Sequence, residues 1–592
     1  MRFKSQSPGG KLFAITGVNT VSFAVLATKK TKAGLLGFAV ERVDPVADEQ
    51  YFMTGFKVFA SVIPHPDINT QVSTYDNPVQ SFLWDDFTAK PDQDYEYRFY
   101  PVKGKPKKLK HDAAPLVINV RTEPLFSALP HDVFFNRGVA SSQAYVRRYG
   151  TTPIAELKPP WKRDAALRWL SRHLGEAVVR FIEACAPGDR LLSCFYEFRY
   201  EPVALALKAA IDRGVDVRLI VDAKVNEHTD SDGFHPSFPR IDNLAMIDQA
   251  QIPAANVILR EARSAHIQHN KFMVRVASGT SPVEVWTGST NMSQGGISGQ
   301  TNVGHWLRDP GIAAQFVRYW DLLATDPGGR DADTVSETKK KNKDFRAEVE
   351  ALSTIAADLR YAPRGTTAVF SPRLSTTVLG SYAQLLDTAP KQGCITLAFG
   401  VNNTFKDLLK DNTAQSALVF MLLEKKDKPN PRSKTAFVVI NASNNVYKAW
   451  GSFISDPVYQ WARETNAGLL GLNQHVSYVH SKFLLIDPLS KDPIVITGSA
   501  NFSPDSTNEN DENMLVIRGD GRAADIYFTE FNRLFNHYYF RSVLEDLGNE
   551  GHTDGASLFL AENADWQQKY MPGTFRAKRL QVFAGLSPVP GP

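Results

Sequence analysis

Two segments of this sequence carry the same polar residues at nearly the same spacing. The shared residues are His269, Lys271, Gly288, Ser289 and Asn291 in the first segment and His480, Lys482, Gly498, Ser499 and Asn501 in the second. Each segment consists of H-x-K, an apolar run, a turn, a second apolar run and G-S-x-N. Either motif alone is common, but the two together, repeated in one chain, indicate a shared chemical function.

The chemistry follows from the residue types. Side chains two residues apart on a strand project from the same face, so His and Lys of each repeat lie together. The next strand brings Ser and Asn beside them, and the glycine lets the backbone approach a bulky anion. Two facing repeats supply two imidazoles, two ammonium groups and two amides around one point. This set can hold a tetrahedral phosphate between a nucleophile and an acid.

The two repeats resemble the signature of the phospholipase D superfamily, H-x-K-x4-D followed by G-S-x-N. The second repeat matches fully, including Asp487, whereas Val276 replaces this Asp in the first repeat. The resemblance covers residues from about 130 to 545. It implies two lobes with one active site between them, catalysis through a phosphohistidine without a metal, and a structural role for Asp487.

Members of this superfamily carry a carboxylate downstream of each G-S-x-N that orients a histidine. Glu512 occupies this position in the second repeat, and Asn302 occupies it in the first. We expect Glu512 to lie beside His480 and keep it protonated as the general acid, because a carboxylate favours the charged imidazole. His269, beside Asn302, is then the nucleophile. The reverse order stays open, since a carboxylate also stabilises a cationic phosphohistidine.

The candidate site residues fall into three groups. The predicted catalytic residues are His269, Lys271, Asn291, His480, Lys482, Asn501 and Glu512. The predicted substrate contacts are Ser289, Ser499 and Asn302, and the predicted structural residues are Asp487, Gly288 and Gly498. We expect no metal and no cofactor, because the pattern lacks a carboxylate cluster of the kind that holds Mg²⁺.

Three other features carry less weight. Glu197 follows a predicted strand and is a candidate for substrate contact, whereas Phe399, at the corresponding place in the second half, is interpreted as core. Another segment carries His228, Asp230, Asp232 and His235, and we interpret it as a solvated loop over the cleft, with metal binding as the alternative.

The segments around the repeats alternate between strand and helix patterns. Strands are predicted at 190–198, 215–222, 394–400, 418–423 and 434–441, and helices at 165–185 and 202–213. This alternation predicts an α/β fold with a sheet flanked by helices. We expect one lobe at 126–330, a connection at 331–360, a second lobe at 361–547 and a C-terminal strap at 548–592 that frays after about residue 585.

Residues 1–125 have a different pattern. Short alternating runs occur at 11–16, 21–28, 35–42, 57–63, 81–85, 95–102 and 116–120. Such spacing predicts an all-β sandwich, and the aromatic run 94–100 resembles a late strand of fibronectin- or immunoglobulin-like modules. We expect this accessory domain to bind a partner and to be separable from the chemistry.

The composition excludes several classes of protein. The chain has 592 residues, 43% of them hydrophobic and 22% charged, which excludes a largely disordered protein. The net charge of +4 argues mildly against extended contact with nucleic acid. No apolar run approaches the ~20 residues of a membrane-spanning helix, and no secretory signal is predicted. The three cysteines are interpreted as buried free thiols, which favours the cytoplasm.

The predicted function is that of a metal-independent phosphodiesterase of phospholipase D type, hydrolysing or transferring a phosphodiester. A phospholipid is the preferred substrate, and peripheral contact with a membrane stays open. A nuclease of the same superfamily is the alternative. A non-catalytic scaffold is the remote alternative, because His, Lys and Asn are intact in both repeats. Which diester is cut, and whether water or an alcohol accepts the phosphoryl group, stays open.

Overall fold

The structure, a computed structural model, has an N-terminal β-rich part, two lobes built on one plan and a C-terminal segment that returns to the N-terminal part. It describes residues 1–55, 57–66, 70–138, 142–230, 233–262, 266–279, 281–412, 417–429, 436–452, 472, 477–549 and 559–586. The predicted fraying after about residue 585 falls almost entirely outside the described residues.

The N-terminal part consists of short antiparallel strands and one short helix. They are β1 (Arg2–Ser7), β2 (Gly10–Thr16), β3 (Val21–Ala27), α1 (Lys29–Lys32), β4 (Gly37–Asp44), β5 (Glu49–Phe52), β6 (Thr54–Gly55), β7 (Val72–Ser73), β8 (Leu83–Asp86), β9 (Asp94–Lys105), β10 (Lys108–Lys110) and β11 (Leu116–Arg121). One sheet has the order β1-β2-β3-β8, and the other has the order β10-β9-β4-β5 with β11 also on β9.

Aromatic side chains join these two sheets. Tyr97 and Phe99 of β9 are buried and pack on Phe23 of β3, with ring centroids 4.6 and 5.3 Å apart. The predicted β-rich N-terminal part is therefore present, whereas its fibronectin- or immunoglobulin-like character stays a prediction. The strand predicted at 57–63 is wrong. Val58 and Phe59 are fully buried, and Val58 accepts a hydrogen bond from the backbone of Leu560 rather than from a sheet neighbour.

Each lobe contains a seven-stranded mixed sheet. The first lobe has β12 (His131–Phe135), β13 (Arg190–Phe195), β14 (Asp216–Asp222), a hairpin of β15 (His228–Asp230) and β16 (Gly233–His235), β17 (Val257–Arg260), β18 (Lys271–Val276), β19 (Pro282–Gly288) and β20 (Val303–Leu307). The second has β21 (Gly365–Ser371), β22 (Gln392–Leu397), β23 (Leu418–Leu423), β24 (Val446–Trp450), β25 (Phe483–Ile486), β26 (Ile494–Gly498) and β27 (Glu512–Arg518).

The two sheets have the same strand order. The first is β12-β20-β19-β18-β13-β14-β17, and the second is β21-β27-β26-β25-β22-β23-β24. In each sheet three strands run parallel: β13, β14 and β17 in the first, and β22, β23 and β24 in the second. The strand after H-x-K, β18 or β25, pairs antiparallel with the first of these on one side. On its other side it pairs antiparallel with the strand that ends in the G-S-x-N glycine, β19 or β26. The sequence repeat is therefore a repeat of the whole sheet, which brings corresponding residues to corresponding positions.

Helices cover the sheets and connect the lobes. They are α2 (Gln143–Tyr149), α3 (Pro160–Ser171), α4 (Leu174–Glu183), α5 (Glu201–Asp212), α6 (Arg240–Gln249), α7 (Pro310–Ala324), α8 (Val335–Ala351), α9 (Thr377–Asp387), α10 (Asn403–Leu409), α11 (Gly521–Asn549) and α12 (Phe575–Phe583). Among these described elements, no helix is long and apolar enough to cross a membrane.

Two predicted elements differ from the observed ones. The single helix predicted at 165–185 is two helices, because Arg172 and His173 have left-handed backbone conformations, with φ of 46° and 72°, that end α3. The strand predicted at 434–441 is wrong where the structure describes it. Residues 436–440 form no strand, and the third parallel strand is β24, which begins after a turn capped by Asn441.

The long helix α11 joins the N-terminal part to the lobes. Its Asp525 forms an ion pair with Arg2 at 2.8 Å, and its Arg522 forms one with Glu123 at 2.7 Å. One continuous apolar core includes residues of the N-terminal sheets, both lobe sheets and α11. This packing leads us to expect that residues 1–125 stabilise the lobes, whereas the sequence suggested an independent domain; the separability stays a prediction. The three cysteines are buried and free, as predicted.

Candidate active site

The two H-x-K segments have the same local geometry. His269 and His480 are 6% and 5% exposed, and both lysines are buried. Lys271 Nζ donates to the carbonyl oxygen of His269 at 2.6 Å, and Lys482 Nζ donates to that of His480 at 2.7 Å. The strand alternation that places His and Lys on one face therefore also lets each lysine fix the backbone of its histidine.

Each histidine is held in place by the other lobe. The backbone N–H of His269 donates to the carbonyl of Asp511 at 2.9 Å, and that of His480 donates to the carbonyl of Thr301 at 3.2 Å. Thr301 and Asp511 stand ten residues after the motif asparagines Asn291 and Asn501, at equivalent positions of the two repeats. The two halves therefore meet in one site.

The histidine side chains are paired across the same interface. His269 Nδ1 lies 2.8 Å from Glu512 Oε1, and His480 Nδ1 lies 2.9 Å from Asn302 Oδ1. The expectation that Glu512 lies beside His480 is wrong. The first residues of β27 and of the segment before β20 cross to the opposite lobe, so each repeat supplies the partner for the other repeat's histidine.

Burial dominates the electrostatics of this site. Burial, followed by the charges of Lys271 and Lys482, lowers the pKa of His269 and His480 well below the ordinary value. Burial also raises the pKa of Glu512 to about 8, although both lysines oppose the rise, and it lowers the pKa of Lys271 to about 8. Both imidazoles are therefore neutral near pH 7, and an anionic phosphate would favour protonation of one of them.

The motif asparagines have different surroundings. Asn291 Nδ2 donates to Glu197 Oε1 at 2.6 Å, and the second oxygen of Glu197 accepts from Arg199 at 2.9 Å. Glu197 therefore orients Asn291. The equivalent position of the second lobe holds Phe399, which is 71% exposed, so its interpretation as core is wrong. Asn501 has no such carboxylate at this position, and the pseudo-symmetry of the site is broken here.

The motif serines connect neighbouring strands. Ser289 Oγ donates to Asn302 Oδ1 at 2.8 Å and accepts from the backbone of Val303 at 3.1 Å. Ser499 Oγ accepts from the backbone of Asn513 at 3.0 Å. Ser289 thus fixes the amide that holds His480. The predicted contact of both serines with substrate stays a proposal.

The motif glycines are required by the sheet itself. A Cβ on Gly288 would lie 2.2 Å from the carbonyl oxygen of Val303, and one on Gly498 would lie 2.2 Å from that of Asn513. Gly288 also has a φ of 134°, which favours glycine. The close approach that needs glycine is therefore to the adjacent strand and not to an anion.

The two halves support the far end of the H-x-K strand differently. In the second half, Asp487 Oδ1 accepts from the backbone N–H groups of Lys391 and Gln392, at 2.9 and 2.7 Å. In the first half, Asp189, at the position of Lys391, accepts from the backbone of Ser278 at 2.8 Å. The carboxylate that Val276 lacks is thus supplied by the neighbouring strand.

Sequence reasoning missed two carboxylates that hold the segments before the histidines. Asp222 accepts from the backbone of Gln268 at 2.9 Å. Glu424 accepts from the backbone of Tyr478 at 3.0 Å and of Val479 at 2.6 Å. The two carboxylates occupy equivalent positions. Asp222 follows Val221 of β14, Glu424 follows Leu423 of β23, and these two residues pair with the last residues of β13 and β22. An acidic residue ending the second parallel strand in both repeats was the signal that could have revealed them.

Tyr196 is a further residue of the site. Its ring centroid lies 5.0 Å from that of His269, and Lys271 Nζ lies 5.3 Å from the same ring. Tyr196 directly follows β13, so the carboxyl ends of the parallel strands open onto the histidines. No feature of the sequence distinguished Tyr196 from the apolar run before it.

The loop singled out for metal binding contains the hairpin β15–β16, and its Asp232 lies outside the described residues. Its His228, Asp230 and His235 offer ligand atoms that lie within 4.8 Å of one another. His235 Nε2 is 2.9 Å from Asp230 Oδ1, and the two imidazole rings stack with centroids 4.8 Å apart. His228 and Asp230 are exposed, in agreement with a solvated loop.

Comparison with protein families identifies the fold. A family model described as cardiolipin synthase, phospholipase D-like domain, matches residues 178–323 and 383–535. These two segments make up half of the chain and contain the two repeats. The chain belongs to this phospholipase D-like family. The resemblance inferred from the H-x-K and G-S-x-N motifs is therefore confirmed. A comparison with curated proteins finds no match.

The solved structures that match this chain include the following three. Polyphosphate kinase from Porphyromonas gingivalis is 9% identical, with a TM-score of 0.35 over 59% of this chain and 46% of the kinase, so this chain spans about half of the kinase's length. Phosphatidylserine synthase from Haemophilus influenzae Rd KW20 is 10% identical, with a TM-score of 0.40 over 66% and 94%. The phospholipase D family member Nuc from Salmonella typhimurium is 18% identical, with a TM-score of 0.20 over 29% and 93%.

Proposed function

We propose that this phospholipase D-like protein cleaves a phosphodiester through a covalent phosphohistidine. The observation that carries the proposal is the pair of buried imidazoles at the lobe interface, each fixed through Nδ1 by a side chain of the opposite lobe. With Nδ1 engaged, Nε2 is the ring nitrogen available to react at phosphorus. Two buried lysines beside the imidazoles favour an anionic group there.

His269 is the nucleophile in this proposal. Its Nδ1–H donates to Glu512, which leaves the Nε2 lone pair to attack phosphorus while the bond from phosphorus to the leaving oxygen breaks. The imidazole becomes cationic as the new bond forms, and the carboxylate of Glu512 stabilises that charge. The assignment of His269 is the one made from the sequence, but the physical reason is now the adjacent carboxylate.

His480 is the general acid. The neutral amide of Asn302 holds its orientation but stabilises a proton on the ring less than a carboxylate would, so protonated His480 is the stronger acid of the two. It donates its Nε2 proton to the leaving oxygen. In the second step it removes a proton from water or from an alcohol, whose oxygen then displaces Nε2 of His269 from phosphorus.

A phospholipid is the proposed substrate. The carboxyl ends of the parallel strands open onto the histidines, and the segments that follow these strands expose apolar side chains. Phe399 after β22 is 71% exposed, and Val225 and Phe234 after β14 are 55% and 66% exposed. Exposed apolar residues around an active-site opening suit an amphipathic substrate at a membrane surface better than a polyanion.

The proposal is tested by incubating the purified protein with several phosphodiesters in the presence of EDTA and measuring which of them is cleaved. We expect release of a headgroup from phosphatidylglycerol or phosphatidylcholine vesicles, and its transfer if a short primary alcohol is added. Single-stranded DNA and RNA, incubated in parallel, should remain intact. The Lys271→Met and Lys482→Met variants should each lose at least ~10²-fold in rate, as expected for loss of one charge-stabilising group.

The control variant is Lys339→Met, which removes the same charge from a surface helix. Cleavage of nucleic acid but not lipid would replace the proposed substrate by the nuclease alternative. Activity that requires an added divalent metal would contradict the phosphohistidine mechanism.

A further inference from the structure

Two cavities lie between the N-terminal sheets and the C-terminal segment 559–583. Their volumes are about 750 and about 380 Å³. Both are lined by Lys57, Ser81, Asp85, Lys569 and Arg576, so they adjoin at this set of residues, which we call the junction. Neither cavity is lined by a described residue of the two catalytic repeats, and both are therefore separate from the active site.

The larger cavity has an apolar wall that is already formed. Trp84 and Trp566 line it, together with Met53, Phe87 and Leu560. The Trp84 ring stacks on Phe23 with centroids 5.6 Å apart. Trp566 is buried, and its Nε1 donates to the carbonyl of Leu35 at 2.9 Å. The two indoles are therefore fixed by the protein, as in a preformed ligand pocket.

The junction concentrates positive charge. Lys57, Lys569 and Arg576 come together here from a loop of the N-terminal part and from the C-terminal segment. Burial, with the charges of Lys569 and Arg576, lowers the pKa of Lys57 to about 8. Burial and Arg576 lower the pKa of Lys569 as well. An anion at the junction would relieve this repulsion.

One carboxylate, Asp85, lies at the junction itself, and Asp86 and Asp565 line the larger cavity beyond it. Asp85 accepts hydrogen bonds from Ser22 at 2.5 Å and from Asn536 at 2.8 Å, and burial raises its pKa. Within the described part of the chain, no salt bridge joins Lys569 or Arg576 to a carboxylate. The junction therefore pairs an excess of positive charge with an adjoining apolar wall.

We propose that these adjoining cavities bind an amphipathic anion. Its carboxylate or phosphate lies at the junction, among Lys57, Lys569 and Arg576, and its apolar chain extends along Trp84 and Trp566. A volume of about 750 Å³ is within the range of small-molecule sites. This site gives the N-terminal part a ligand of its own, and it does not depend on the chemistry proposed for the histidines.

Calorimetry with the full chain tests the charge requirement. Dodecanoate and dodecyl phosphate are titrated below their micellar concentrations, and the uncharged octaethylene glycol monododecyl ether serves as the matched ligand. We expect one anion bound per chain and at least tenfold weaker binding of the uncharged ligand. The stronger of the two anions identifies the headgroup as carboxylate or phosphate.

Charge reversal at the junction supplies the matched variants. Lys569→Glu combined with Arg576→Glu should weaken binding of the anion at least tenfold, because both side chains are exposed enough to be replaced without unfolding the chain. Lys29→Glu combined with Lys30→Glu makes the same change of charge outside both cavities and should leave the affinity within twofold. Equal affinities for the charged and uncharged ligands, or an unchanged affinity in the junction variant, would overturn the proposal.

The tryptophans report the position of the apolar chain. Bromine-labelled dodecanoate should quench the protein fluorescence on binding, and Trp84→Phe combined with Trp566→Phe should remove most of this quenching while binding persists. Quenching that survives in this variant would place the ligand elsewhere and overturn the site. Absence of binding by both anions to the folded chain would also overturn it.

Discussion

The two active-site histidines differ in the group that holds Nδ1. A carboxylate, Glu512, holds His269, and an amide, Asn302, holds His480. A carboxylate makes an imidazole the better nucleophile and stabilises the cation formed when it bonds to phosphorus. An amide leaves a protonated imidazole more acidic. The asymmetry of one pair of side chains is therefore the basis of the different roles that we propose for two residues that the repeat makes equivalent.

A leaving group that needs no proton separates these roles. With a diester of p-nitrophenol, His480→Ala should keep a burst of phenol release, whereas His269→Ala should show none. With an alkyl leaving group, His480→Ala should lose the ~10²–10⁴-fold typical of a missing general acid. Rapid acid-free quenching of radiolabelled substrate should map the phosphoryl group to His269. A label on His480 would reverse the assignment.

The pKa values of the site predict the pH dependence of kcat/KM. The pKa of Glu512 is raised to about 8, so the carboxylate that supports His269 forms as the pH rises through this value. The pKa of Lys271 is lowered to about 8, so its positive charge is lost above the same pH. Because binding of the anionic diester favours protonation of His480, the general acid is present in this range, and we expect a narrow bell with its maximum near pH 8, measured with a soluble diester.

The Glu512→Gln variant identifies the rising limb of this bell. The amide keeps an acceptor for Nδ1–H but removes the charge, so the rising limb should disappear and the falling limb should stay. The maximal rate should drop about 10–100-fold, as for other groups that orient a reactive imidazole. A profile of the unaltered protein that stays flat between pH 6 and 9 would contradict the assignment.

At the scale of elements, the two H-x-K strands are supported by carboxylates from different sides. Asp487 directly follows β25, whereas Asp189 directly precedes the neighbouring strand β13. Either arrangement satisfies backbone N–H groups where two strands begin and end. The first repeat departs from the family motif at Val276. Its carboxylate acceptor is therefore supplied from beside a different strand.

Asp189→Ala and Asp487→Ala should consequently have similar effects. Asp189 accepts from the backbones of Ala186 and Ser278, and its loss leaves these N–H groups unpaired. These hydrogen bonds are partly buried, and each contributes ~0.5–1.5 kcal/mol, so urea unfolding should show a loss of about 1–3 kcal/mol in both variants, while kcat/KM changes less than fivefold. Ser278→Ala keeps its backbone N–H and should match the unaltered protein. A stable Asp189→Ala variant would show that Asp189 does not replace the missing motif residue.

At the scale of the whole molecule, α11 is the element on which the three parts meet. It contacts β2 and β3 of the N-terminal part, β12 of the first lobe and several strands of the second lobe. Its Arg533 donates to the backbone carbonyls of Asn136 and Arg137. The N-terminal part is consequently a component of the core that aligns the lobes.

Removal of the N-terminal part should therefore destabilise the lobes. A chain that begins at Pro124 loses the partners of Asp525 and exposes the apolar face of α11, so we expect aggregation or a melting temperature at least 10 °C lower. Arg2→Ala removes the ion pair with Asp525 and three hydrogen bonds to the backbone carbonyls of residues 488–490. It should still shift the melting temperature less than the truncation does, because these contacts are partly exposed and contribute ~1 kcal/mol or less each. A soluble, fully active chain from Pro124 would restore the separability predicted from the sequence.

The sequence by itself determined the family, the repeat and the residues that form the candidate site. Strand alternation places His and Lys on one face, and this local rule survives folding because it depends only on the backbone. The positions of most strands could also be predicted from the sequence, because their apolar runs are buried from both sides. The run 57–63 was wrongly predicted as a strand. Val58 and Phe59 are apolar because they are buried, and buried residues are apolar in a loop as well as in a sheet.

Only the tertiary structure decided which histidine each partner holds. The sequence shows where Glu512 and Asn302 stand relative to the motifs. The direction in which β27 and β20 leave the lobe interface decides whether these two side chains reach the histidine of their own repeat or that of the other repeat. The same holds for the glycines, whose neighbour is a strand, and for α11, whose apolar face joins distant parts of the chain. Such contacts join residues far apart in sequence, and no local pattern encodes which of the two pseudo-equivalent partners is met.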